Sequence, residues 1–116
     1  MVKVIVIEPK KEPYFKDVEL SAFGENMNFF AEAEIGCRAV DRIQLKSNYE
    51  LTMYCDDWFT KRGEDEYNFS IITHKGVLDV LGKVVISRAH VIFDDMRYDD
   101  VTAEDLTFVK NTIIRK

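Results

Sequence analysis

Cysteine is scarce in this chain, and catalytic patterning is scarcer still. Only Cys37 and Cys55 occur among 116 residues, with no CxxC spacing and no histidine cluster beside them. That pattern gives no sign of a disulfide scaffold or a zinc site, and it suits a reducing cytoplasm. No GxGxxG, P-loop, internal repeat or low-complexity tract is present. His74 and His90 stand singly, with no Ser, Cys or carboxylate at a spacing that makes a triad, so each reads as a structural or surface histidine. The one early apolar run, Val2 to Ile7, is interrupted by Lys3 and stopped by Glu8-Pro9. It is too short for a signal-peptide core or a membrane span, so the expected location is cytoplasmic, with no membrane partner. A surplus of basic residues is also missing. The net charge of −5 argues against direct binding of nucleic acid or anionic lipid, which reward clustered Lys and Arg.

Hydrophobic residues make up 47% of the chain and charged residues 32%, a globular balance. At this length the expectation is one domain with its own core. Residues 2–7 are β-branched almost throughout and predict a buried strand. Beyond the turn bounded by Pro9 and Pro13, Tyr14 to Leu20 alternates and predicts a second strand in a hairpin with the first. Ser21 then predicts the cap of a helix carrying Phe23, Met27, Phe30, Ala31 and Ile35 at three- and four-residue spacing, with Gly24 weakening its start and Gly36 as its stop. Residues 37–45 and 49–55 predict a pair of strands. In the second, Leu51, Met53 and Cys55 would face the core, and Glu50, Thr52 and Tyr54 a wetter side.

Residues 56–68 predict a long surface loop, a common place for function. Phe69 to Thr73 suits either a strand or a helical turn. Residues 83–93 predict a strand broken near Ser87 to Ala89, or two paired segments. Thr102-Ala-Glu-Asp105 resembles a capping box opening a terminal segment, in which Leu106, Val109 and Ile113 mark a helical stripe while the β-branched content also suits a strand. The resulting fold class is α+β: a mostly antiparallel sheet of five or six strands, with one or two helices packed on one face.

On particular residues the chain resembles a bacterial and phage family known as domain of unknown function 3846. The residues that carry the likeness are Val2 to Pro13, then Gly36, Tyr54-Cys55-Asp56-Asp57 and Gly82-Lys83-Val84-Val85-Ile86. Where the family often has Asn-Arg, this chain has Asn68-Phe69. The resemblance implies no catalytic residues. It does imply a setting in phages, plasmids and conjugative elements, whose accessory proteins interfere with host machinery.

Charge is strongly segregated. Asp94, Asp95, Asp99, Asp100, Glu104 and Asp105 face only Arg97 as a cation in their window, so this segment carries the whole formal charge of −5. A second acidic stretch, Asp56, Asp57, Glu64, Asp65 and Glu66, surrounds Trp58, Phe59, Arg62 and Tyr67 in the long loop. One reading makes these two segments a binding surface for Arg and Lys on a bacterial host protein, anchored by the aromatics and occupying the place of phosphates. The competing reading has the acids solvating a turn and favouring the last helix, and Trp58 folding under its loop. Asp94-Asp95 and Asp99-Asp100 also have the chemistry to hold a divalent ion, although an EF-hand's glycine and bidentate Glu are absent. No cofactor is implied.

The leading expectation is therefore a non-enzymatic protein binder that inhibits a nucleic-acid-targeting defence system, a CRISPR effector or a restriction enzyme. The alternatives are a small-molecule or nucleotide binder with a pocket between sheet and first helix, and a small divalent-metal-dependent enzyme. An exposed edge strand would also let two copies pair as a homodimer.

Overall fold

Two β-branched runs form the centre of the molecule, β1 (Val2–Ile7) and β7 (Val84–Ile92). In the structure, a computed structural model that describes residues 1–58, 63–73 and 75–115, they pair antiparallel with Ile5 opposite Ile86 and Ile7 opposite Val84. The other strands are β2 (Tyr14–Val18), β3 (Val40–Lys46), β4 (Leu51–Asp56), β5 (Tyr67–Thr73), β6 (Gly76–Leu81) and β8 (Asp95–Asp99). One six-stranded sheet runs β2-β1-β7-β4-β3, with β8 beside the far half of β7, and β5-β6 form a separate hairpin. Every pairing is antiparallel.

The helices are α1 (Met27–Ile35) and α2 (Ala103–Thr112). The mostly antiparallel α+β class is as expected, but the helices do not share a face. Strand alternation sends Val4, Val6, Tyr54 and Val85 to one side, where they pack on Met27, Phe30, Ala31 and Ile35 of α1. Ile5, Ile7, Met53, Val84 and Ile86 point to the other side, against Phe69, Ile71 and Val80 of the β5-β6 hairpin and Val109 of α2. Because the central strands are apolar at both parities, each face needs a cover, and each such side chain contributes about 1.5–3 kcal/mol when fully buried. For the same reason β4 has no wet side: Leu51 to Cys55 are all buried, Thr52 and Tyr54 included.

Local chemistry moves several boundaries. The first helix starts at Asn26, not Ser21. Leu20–Phe23 makes a 3-10 turn, Gly24 (φ 65°) and Glu25 (φ 58°) reverse the chain, and Asn26 Oδ1 then accepts from the amides of Asn28 (2.9 Å) and Phe29 (3.3 Å). Gly36 ends α1 in the left-handed region, as expected. Residues 69–73 belong to a strand, β5, which begins at Tyr67 inside the expected loop. Buried Asn68 ties that strand to the main sheet by donating to the carbonyls of Ile7 (2.8 Å) and Gly82 (2.9 Å). β7 runs unbroken through Ser87 to Ala89, and the acidic window behind it, after a turn at Phe93 and Asp94, continues as a strand, β8. The Thr102–Asp105 capping box is present, and it opens a helix. No helix among the described residues is long and apolar enough to cross a membrane.

Candidate functional site

The register of β7 separates the two acidic segments that were expected to act together. Tyr54 pairs with Val85, so Asp56 lies beside the start of β7, whereas Asp95 pairs with Ile92 at its end. At about 3.4 Å per residue those ends are roughly 27 Å apart.

At the near end, Asp56 is half-buried and its Oδ1 accepts from the Trp58 amide at 2.9 Å. The indole is 65% exposed, so it does not fold under the loop. With Gly36, Cys37, Arg38, Ala39 and Asp56 it lines a cavity of about 490 Å³ at the end of α1. Asp57 is exposed and its amide donates to Ala39 O at 3.1 Å. Phe59 and Arg62 lie outside the described residues, as does His74. Glu64, Asp65 and Glu66 form a 3-10 turn, with Asp65 exposed. Tyr67 is a structural tie rather than a loop anchor: its hydroxyl meets Ser70 Oγ at 2.8 Å and donates to Ile114 O at 3.2 Å.

At the far end the six carboxylates divide by what they touch. Asp105 is 1% exposed and cannot meet a partner. Its carboxylate accepts two hydrogen bonds from Arg88, Nε at 2.8 Å and Nη2 at 2.7 Å, and a third from the Thr102 amide. Burial alone would raise its pKa, but these donors outweigh burial and hold the carboxyl below the ordinary Asp range. Asp100 accepts from the Lys3 amide at 2.8 Å and so fixes the chain to β1. Asp99 Oδ2 lies 2.6 Å from His90 Nδ1, and Asp95 pairs with Arg97 at 3.0 Å. Asp94 and Glu104 are exposed.

The residues that sequence reasoning missed are the apolar ones just before these acids. Beyond Arg88, β7 runs past the end of β4, with a last hydrogen bond from the Ala89 amide to Glu50 O at 3.4 Å, and then forms a finger with β8, the one strand among the described residues that pairs with it there. Val91 and Ile92 are about half exposed on it, and Phe93 at its tip is 98% exposed. Phe93 (φ 50°) and Asp94 (φ 64°) make the two-residue turn, both left-handed, where Asn-Gly is the favoured pair. A bulky residue in that conformation is an outlier of the kind that clusters at functional sites. The available signal was the two-residue gap, Phe93-Asp94, between Val91-Ile92 and Asp95-Met96. It was masked because Phe93 reads as the last residue of a core strand.

Among the described residues no three His, Cys, Asp or Glu side chains gather as a metal site requires. The Cys55 thiol is pushed up to about 12 by burial, and then by the nearby Asp41 and Asp56 carboxylates, which makes it a poor nucleophile. Comparison with protein-family models, curated proteins and solved structures returns no match for this chain.

Proposed function

We propose that the chain acts stoichiometrically by binding another protein through the β7–β8 finger. The partner we infer is a nucleic-acid-handling defence effector of a bacterial host, a CRISPR effector or a restriction enzyme, which binding inhibits. The observation that carries the reading is Phe93, an aromatic side chain left 98% exposed on a left-handed turn, with half-exposed Val91 and Ile92 behind it. A preorganised aromatic that becomes buried only on binding has the character of a hot spot, commonly worth 2 kcal/mol or more. Asp94 and Asp95 flank it and suit a pocket rimmed by Arg or Lys, as nucleic-acid channels are. The choice of partner class rests on that charge and on the family resemblance. Full phosphate mimicry is not invoked, because the second acidic segment lies at the other end of β7.

The test is inhibition of each defence system of the native host by the purified chain, with Phe93→Asp as the comparison. The expected result is stoichiometric loss of interference, with affinity at least about tenfold weaker in the variant. No inhibition of any such system removes the partner class, and unchanged binding by the variant removes the finger.

A second reading, a small-molecule or nucleotide binder without catalysis, is favoured by the roughly 490 Å³ cavity at Cys37 and Trp58, whose volume lies in the range of ligand pockets. A nucleotide panel that raises the melting temperature supports it, since a ligand of the folded state must stabilise that state. A flat response to the whole panel removes it.

A further inference from the structure

The molecule has a second feature built for recognition, away from the finger. β3 is the last strand of the sheet, and among the described residues nothing pairs with its outer edge. The direction of its backbone groups follows from two hydrogen bonds. The Asp57 amide donates to Ala39 O at 3.1 Å, so residues 39 and 57 form a bonded pair. In an antiparallel ladder bonded pairs recur every second residue, which makes Asp41–Cys55 and Ile43–Met53 the next two. The amides and carbonyls of Val40, Arg42 and Gln44 therefore turn outward. The Arg42 amide agrees: it meets the exposed Asp41 carboxylate at 2.9 Å instead of β4.

A groove of about 700 Å³ runs along this edge, walled by residues 42–45 on one side and by the tip of the β5–β6 hairpin on the other. Consecutive strand residues point to opposite faces, so all four can line one groove only where the strand's backbone edge is its wall. The groove is apolar on the α2 side, where Ile43, Leu45 and Leu78 pack against the core. Ile72 and Val77, a cross-strand pair on the hairpin, stand 71% and 68% exposed at its mouth. Its charged lining is Arg42 and Lys75, neither in a salt bridge among the described residues, although the chain as a whole carries −5.

We propose that this edge accepts an extended segment of a partner protein by strand addition, and that the segment alternates apolar and acidic residues. Main-chain pairing with Val40, Arg42 and Gln44 supplies the binding, and the pleat sorts the side chains. Apolar residues face Ile43 and Leu45, while the alternate acidic residues lie on the α1 side beside Arg42. A flat unpaired edge is ordinarily a liability blunted by charge, and here the cations that blunt it also select the sign of what can pair. This site is independent of the finger, and either can fail without the other.

The test uses two blocked seven-residue peptides, one alternating Val and Glu and the other alternating Val and Lys, with amide hydrogen exchange of the full chain as the readout. The Val/Glu peptide is expected to slow exchange at Val40, Arg42 and Gln44, and the Val/Lys peptide to bind about tenfold more weakly. Arg42→Pro removes one outward amide without touching the β4 ladder, a substitution that edge strands tolerate, and should abolish the protection. Val77→Glu places a like charge at the exposed mouth, where folding is not at stake, and should weaken the Val/Glu peptide. Absence of protection, equal binding of both peptides, or full binding by both variants overturns the proposal. So does protection that appears without peptide and tracks a dimer mass in sedimentation, because the occupant is then a second copy.

Discussion

The two halves of β7 have nearly the same composition and opposite fates. Val84 to Ser87 is buried, flanked by β1 and β4 and covered on both faces. His90 to Ile92 is exposed, and among the described residues β8 is the one strand that pairs with it. The difference is not in the apolar residues themselves but in where their neighbours stop, since the last β4 partner is Leu51, opposite Arg88. The first half holds the fold together, and the second is free to present side chains to something else. Ile86→Ala should therefore cost about 3–4 kcal/mol, as a cavity in a packed core does, while Ile92→Ala should change stability by less than about 0.5 kcal/mol. Urea unfolding of the two variants is the measurement. Equal losses would break the contrast and make the finger part of the core.

Arg88 sits at the boundary between the halves and clamps it. Its guanidinium grips Asp105, which at the same time completes the capping box of α2, so one carboxylate joins sheet and helix. Asp105→Ala leaves the part-buried Arg88 with only the more exposed Glu50, at 3.4 Å, and a cap unmade; it should cost about 3 kcal/mol, against less than about 0.5 kcal/mol for Asp94→Ala on the finger. The pH dependence has a definite sign. The folded carboxyl of Asp105 binds its proton more weakly than the unfolded one, so its contribution is present at neutral pH. It is lost as pH falls from about 4, the ordinary Asp value, down through the folded pKa. Unfolding curves of the Asp105→Ala variant should be flatter across that acid window than those of the parent. An equally steep acid loss in the variant would mean that other carboxylates carry it.

Much of the fold was legible because local signals and tertiary demand agree. The run at Val2 to Ile7, Gly36 after α1, and Thr102 with Asp105 at the start of α2 each act within a few residues of their own position. The candidate site was legible only in part, because charge is visible in sequence and pairing is not. Asp105 and Asp94 look alike in the acidic window, yet one is claimed by Arg88 from 17 residues away and the other is not. The finger was hidden for a related reason. A glycine would have marked the turn after Ile92, but the chain turns there on Phe93 and Asp94, as it does between β3 and β4 on Asn48 and Tyr49.

That glycine-free turn sharpens the contrast between the halves of β7 with the smallest expected effect. Both residues of the turn sit at positive φ, 50° for Phe93 and 64° for Asp94, a region that Asp tolerates and a bulky aromatic residue does not favour. Replacing the pair by Asn and Gly, Phe93→Asn with Asp94→Gly, matches the residues to the turn. The change should leave stability level or raise it by up to about 1 kcal/mol, with slower amide exchange along β8. Under the finger reading the same variant loses its partner, because the side chain removed is the one that binding buries. Gained or unchanged stability together with lost binding is the signature of a side chain kept for recognition at some expense to the fold. A destabilised variant would instead show that Phe93 supports the hairpin it caps, and the exposed half of β7 would then be structural like the buried one.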